Sequence, residues 1–278
     1  MKNSLSKFTI FTTILALILG NLVVATNSGD ACGTDWPKCN GQLIPDFSDI
    51  NILIEYSHRI FTTALGFVIL LNAIQAWRKR KMKNTKVFSI ITIFLLILQS
   101  LVGGLNVLLG TPIGFTTIDV TVSLLLLTSV IYLHYSLEEL KENNNIALIK
   151  KPSQFLLIVI FIETFIGAFF KHSRISQLLY SPSNDLAMIN NTLISNFIYS
   201  IHGILGIATI LASAYLLFLA YSYDVYKARS SFLIVTLLIT TIFGFLTKIY
   251  ELSPLTSSMH MIFTTLTIAI CSSITAKR

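Results

Sequence analysis

Four side chains able to ligate metal or move a proton sit in stretches that otherwise read as hydrocarbon. They are His58 in "IEYSHRIF", Asp119 in "TTIDVTVSLLLL", His202 in "FIYSIHGIL" and His260 in "SSMHMIF". An ionisable group inside a membrane is costly unless it is paired, solvated or protonated, so each needs a reason. Imidazole is a common ligand of metals and of heme iron. Two histidines at one depth on paired helices would hold a bis-histidine heme b, and His202 with His260 is that pair. A proton relay and an interhelical hydrogen bond are the other readings. Glu55 stands three residues before His58 and four before Arg59, so on a helix the three share a face. Either Glu55 and His58 point together at a bound macrocycle, or Glu55 and Arg59 form a buried pair that fixes helix packing.

Cys32 and Cys39 lie in "ACGTDWPKCNG". Two cysteines cannot close a four-ligand zinc site, and the C-x-x-C redox spacing is absent. In a loop outside the cytoplasm they read as a loop-closing disulfide, either structural or redox-active. Cys271, deep in the last apolar run, reads as a small apolar filler.

The elements that must position these groups are membrane spans. The 278 residues are 54% hydrophobic and only 12% charged, with a mean hydropathy of +0.74. Soluble domains carry about 25% charged residues. Eight apolar runs reach the roughly 20 residues needed to cross a bilayer, near 8–26, 52–77, 87–109, 115–136, 153–171, 194–221, 230–249 and 256–275. The first lacks a small-x-small cleavage site and runs straight into the cysteine loop, so it reads as a retained span. The net charge of +7 does not argue for nucleic acid, because the basic residues sit in short loops. Three quarters of the 20 Lys and Arg fall on one side, as Lys2, Lys7, the 78–86 loop, Lys141, Lys150, Lys151, Lys227, Arg229, Lys277 and Arg278. That side is cytoplasmic by the positive-inside rule, which puts both termini inside and the 27–51 loop outside. The expectation is a multi-pass protein of the cell membrane.

The spans also read as a repeat. "LGNLVVATNSG" matches "IGAFFKHSRIS", "IEYSHRIF" matches "FIYSIHGIL", and "VGGLNVLLGTP" matches "FGFLTKIYELSP". The fold expected is therefore all-α and integral to the membrane, with eight transmembrane helices as two pseudo-symmetric four-helix bundles, residues 1–146 and 147–278. Under this repeat His58 matches His202, and Asp119 falls where the second half has His260. Glu163 and Gln99 are expected to face one another as bundle-interior polar groups, and His134 to be structural. Lys171, His172 and Arg174 crowd the outer end of span five, where they either bind heme propionates or snorkel to the interface.

Taken together, "TNSGDACGTDWPKCNGQLIP", "IEYSHR", "LQSLVGGLNVL" and the histidines opening spans six and eight resemble heme A synthase. The combination of C-G-x-x-W-P-x-C-x-G with E-x-x-H-R one span later carries the resemblance, which covers nearly the whole chain. It implies an enzyme that oxidises one ring methyl of heme O to a formyl group by successive hydroxylations. It implies a C-terminal half (147–278) binding heme b through His202 and His260, and an N-terminal half (1–146) binding the substrate heme with essential Glu55 and His58. It also implies a Cys32–Cys39 disulfide that assists function, supply of substrate by a heme O synthase, and delivery of the product to a terminal oxidase. The chain departs from the family in two places, with Asp119 at a position usually held by histidine and Ala25 where a basic residue is usual. Asp119 then ligates iron as an oxygen donor, leaves an axial position open, or pairs with Arg59. A heme-binding electron-transfer or heme-delivery protein without the oxidising activity is the alternative.

Overall fold

The computed structural model describes residues 3–78, 83–138, 144–173, 175 and 186–276. These residues form eight helices: α1 Ser4–Ala25, α2 Ile50–Arg78, α3 Lys83–Leu108, α4 Phe115–Ser136, α5 Asn144–His172, α6 Leu186–Ser222, α7 Lys227–Ile249 and α8 Pro254–Ala276. All eight are long and apolar enough to cross a membrane, as expected from the sequence. Among the described residues the extended structure is limited to one isolated bridge, Cys39 with Gln42. Lys2, Lys141, Arg174, Lys277 and Arg278, invoked above, lie outside the described residues, as does part of the 78–86 loop.

Helix ends depart from expectation most at α5, which begins at Asn144 and continues through Pro152. A proline lacks one backbone donor and disfavours a helical residue before it. The helix nonetheless carries Pro152 after two turns in which Ile146, Ala147, Leu148 and Ile149 are apolar and Ile149 is fully buried, with Lys150 and Lys151 separating them from the long apolar run.

Packing follows from the helix sequences. α1–α2, α2–α3, α3–α4 and α4–α1 are in contact, and so are α5–α6, α6–α7, α7–α8 and α8–α5. Across the middle, α4 meets α8, α1 meets α8 and α4 meets α5. The two central helices, α4 and α8, are the most buried, and α8 has the lowest hydropathy of the eight. Lipid is as apolar as leucine, so helices in a bilayer associate through small residues and hydroxyls rather than through hydrophobic exclusion. α8 obliges with buried Thr264, Thr265, Thr267, Ser272 and Thr275. Tyr132 donates to Thr275 Oγ1 at 2.7 Å, and Thr128 and Ser272 share a hydrogen bond at 3.2 Å, joining α4 to α8. Ser6 of α1 bonds His134 Nδ1 at 3.1 Å, which gives that histidine the structural role expected of it. Large apolar side chains such as Phe67, Phe94, Phe155 and Phe232 point outward, as lipid-facing residues should.

Candidate functional site

The chemistry gathers at one end of the bundle, where α1, α3, α5 and α7 finish and α2, α4, α6 and α8 begin. Four contacts there share one design, in which a side chain in the first half of an even-numbered helix lies against a glycine near the end of the preceding helix. His58 lies on Gly20, Asp119 on Gly103, His202 on Gly167 and His260 on Gly244. A Cβ on Gly167 would stand 2.7 Å from His202 Cε1, and one on Gly20 would stand 3.0 Å from His58 Cε1. Only a residue without Cβ lets these rings lie so close to the neighbouring backbone. The glycines fall inside the repeated segments quoted above, yet periodicity gave no reason to single them out, since only the facing ring reveals their use.

His202 and His260 face each other with ring centroids 6.3 Å apart and planes at 79°. Two imidazoles sharing one metal, each through nitrogen at about 2 Å, put their centroids roughly 6.5 Å apart, so the spacing fits a bridging iron. His260 Nδ1 lies 2.8 Å from the Thr240 carbonyl. Donating there leaves Nε2 as the unprotonated nitrogen, the arrangement that orients ligating histidines. The Nδ1 atom of His58 is buried without a hydrogen-bond partner among the described residues. Elsewhere among the described residues no three His, Cys, Asp or Glu side chains converge on a metal-sized site.

Glu55 and Arg59 do pair, and their pairing reaches further than helix packing. Both are buried, at 3% and 8% exposure. Glu55 Oε1 meets Arg59 Nη2, while Glu55 Oε2 accepts the Cys32 backbone N–H at 2.7 Å. Arg59 also donates to the carbonyls of Gly33 at 2.9 Å and of Asp35 and Lys38 at 3.3 Å each. The loop presents these groups because Cys32 and Cys39 are disulfide-bonded, with Cα atoms 4.3 Å apart. Gly33 at φ +63° and Gly41 at φ +81° make the reversals that the loop needs. Tyr56 donates to Leu43 O, and Asn51 Oδ1 accepts from Ser28 Oγ at 2.9 Å, seating both flanks of the loop on α2.

Asp119 does not pair with Arg59, whose two Nη groups go to Glu55 and the loop. Its Oδ1 accepts from Gln99 Nε2 at 2.6 Å. Nor do Glu163 and Gln99 face one another: Glu163 Oε2 accepts from Thr209 Oγ1 of α6 at 2.7 Å, and α3 and α5 make no contact. The repeat had suggested that pairing, but each side chain is claimed by the helix packed beside it. Lys171 Nζ donates to Ser257 Oγ of α8 at 2.9 Å, near His260.

Residues 4–272 match the family described as cytochrome oxidase assembly protein. The chain belongs to that family. Proteins named heme A synthase are similar to it. That of Halalkalibacterium halodurans is 33% identical over 183 residues, covering 63% of this chain and 61% of the relative. That of Exiguobacterium sibiricum is 33% identical over 177 residues, covering 60% and 58% respectively. The one from Alkalihalophilus pseudofirmus is 32% identical over 185 residues, covering 63% and 62%. The matched segment thus spans about three fifths of these relatives.

Proposed function

We propose that the protein is a heme A synthase, oxidising a ring methyl of heme O to a formyl group by successive hydroxylations. The observation that carries the reading is the His202–His260 pair, spaced for one iron and seated on Gly167 and Gly244, in a chain of this family. The α5–α8 half is the heme b half in this reading, and α1–α4 is the substrate half. Heme b, when bound, supplies a one-electron relay. His202 and His260 would hold it, and the Thr240 carbonyl holds the tautomer that keeps His260 Nε2 available. Lys171, beside Ser257, is positioned for a propionate. Across the bundle His58 orients the substrate macrocycle. Glu55 is the proposed catalytic carboxylate. Both of its oxygens already accept hydrogen bonds, so it stabilises positive charge developing at the methyl carbon rather than shuttling a proton. The Cys32–Cys39 loop covers this end and excludes water.

The membrane is the cell membrane, with both termini cytoplasmic and the disulfide loop outside, consistent with the distribution of Lys and Arg. A heme O synthase supplies the substrate, and a heme-A-type terminal oxidase takes the product. The test is heme extraction from a host that lacks its own heme A synthase and co-expresses a heme O synthase. A heme with the formyl mass is expected. Heme O alone, with heme b in the purified protein, would instead make this an electron-transfer or delivery protein. His202→Ala should abolish the low-spin heme b spectrum, and an unchanged spectrum would remove the cofactor assignment.

A further inference from the structure

The two halves offer iron different partners on their last helices. In α5–α8, His260 lies against Gly244 and donates its hydrogen bond to the carbonyl of residue 240 of α7. In α1–α4, Asp119 lies against Gly103 and takes its hydrogen bond from residue 99 of α3. Each of the three positions in the first half precedes its counterpart by 141 residues. Asp119 therefore occupies the backbone position of a ligating histidine with a shorter side chain. From Cα, an aspartate oxygen is three bonds away and the histidine Nε2 is four, a shortfall of about 1–1.5 Å. Metal–ligand distances tolerate about 0.2 Å.

Two further observations keep the gap from closing. Gln99 ties Oδ1 to α3, while a Cβ on Gly103 would stand 3.7 Å from the same oxygen, so the carboxylate is drawn toward α3. α4 itself is a central helix, bonded to α8 through Tyr132 and Thr128, and cannot slide by an ångström without breaking that seam. Oδ2 has no hydrogen-bond donor among the described residues.

We propose that iron bound in the α1–α4 half has His58 as its single protein ligand, with Asp119 standing back and the position facing α4 open to a small exogenous ligand. This rests on the reading that this half takes a heme substrate. The α5–α8 half, with both positions filled by imidazole, is closed to such a ligand and serves as the control.

The test uses the purified full chain in detergent, titrated with ferric protoporphyrin as the stand-in for heme O, then reduced and exposed to carbon monoxide. Of two hemes bound per chain, one is expected to be high-spin and to bind carbon monoxide, and the other to be low-spin and inert. Asp119→His should remove the carbon monoxide difference signal and turn the second heme low-spin. Asp119→Ala and Asp119→Asn should leave both the signal and the ferric spectrum of the second heme unchanged. A ferric spectrum that shifts in Asp119→Asn and Asp119→Ala alike would mean that Asp119 ligates the iron, overturning the proposal. So would two low-spin hemes in the unaltered protein. If the formyl product forms in cells under either of those outcomes, the synthase reading stands while this one falls. A chain that binds no second heme and makes no formyl product loses both.

Discussion

At the scale of single residues, the glycines and the Glu55–Arg59 pair make the sharpest predictions. Substitution by alanine should be most damaging where the added Cβ meets a ring, in the order Gly167, Gly20, Gly244, following clearances of 2.7, 3.0 and 3.2 Å. Gly104→Ala, with nothing within 4 Å of the new Cβ, should be silent. Heme content per chain reads the Gly167 and Gly244 variants, and Gly104→Ala controls for expression. Arg59→Ala strands Glu55 as a buried, uncompensated charge and should destabilise the fold by about 3–5 kcal/mol, measured by thermal unfolding in detergent. Adding Glu55→Gln should recover part of that loss. The histidines proposed as ligands stood out in the sequence because an imidazole in an apolar run has few innocent explanations. The partners of Arg59 were not, since the groups it binds are the backbone carbonyls of Gly33, Asp35 and Lys38, and no letter in a sequence marks a carbonyl as available. Asp119 was legible as a misfit at a histidine position, whereas its partner Gln99 was assigned to the wrong neighbour.

At the scale of elements, the central α4–α8 seam sets what a mutation there can do. An interhelical hydrogen bond in a bilayer contributes about 0.6 kcal/mol on average. Tyr132→Phe, which removes only the donor to Thr275, should therefore shift the unfolding transition slightly. Leu124→Ala, at a position with no exposure, should cost about 2–5 kcal/mol through the cavity it leaves. If the two variants melt alike, the hydroxyl seam carries more than this ranking gives it. The existence of all eight helices could be read from apolar run length, because a bilayer leaves few other ways to satisfy the backbone. Their ends could not, as α5 shows, because helical hydrogen bonding continues past Lys150, Lys151 and Pro152 into an apolar stretch too short to read as part of a span. The centrality of α4 and α8 was also partly written in composition, since a helix surrounded by protein needs less hydropathy and more Ser and Thr than one facing lipid.

For the whole molecule, orientation and the assignment of heme roles to the two halves are the properties to test. Cys271 is buried and should stay silent to a membrane-impermeant maleimide. Cysteines placed at exposed Ser48 in the disulfide loop and at Asp224 between α6 and α7 then report opposite faces. In intact cells Ser48→Cys should label and Asp224→Cys should not, and the reverse pattern would invert the topology. Each set of four helices closes the same ring of neighbours, and the contacts between the sets exchange like for like, α1 with α8 against α5 with α4. The repeated segments do not say which helices sit at the centre. That depends on which faces carry small residues and hydroxyls, a property of three-dimensional surfaces rather than of linear order.

The clasp between Arg59 and the disulfide loop has a consequence for how freely this part of the protein can change. Arg59 holds main-chain oxygens, and Glu55 holds a main-chain N–H, so the clasp reads the path of the loop and is blind to its lettering. The side chains at Thr34, Asp35 and Lys38 are thereby released from structural duty. A lineage could rewrite them to suit a new partner at the outer face while α2 and everything mounted on it stayed where it was.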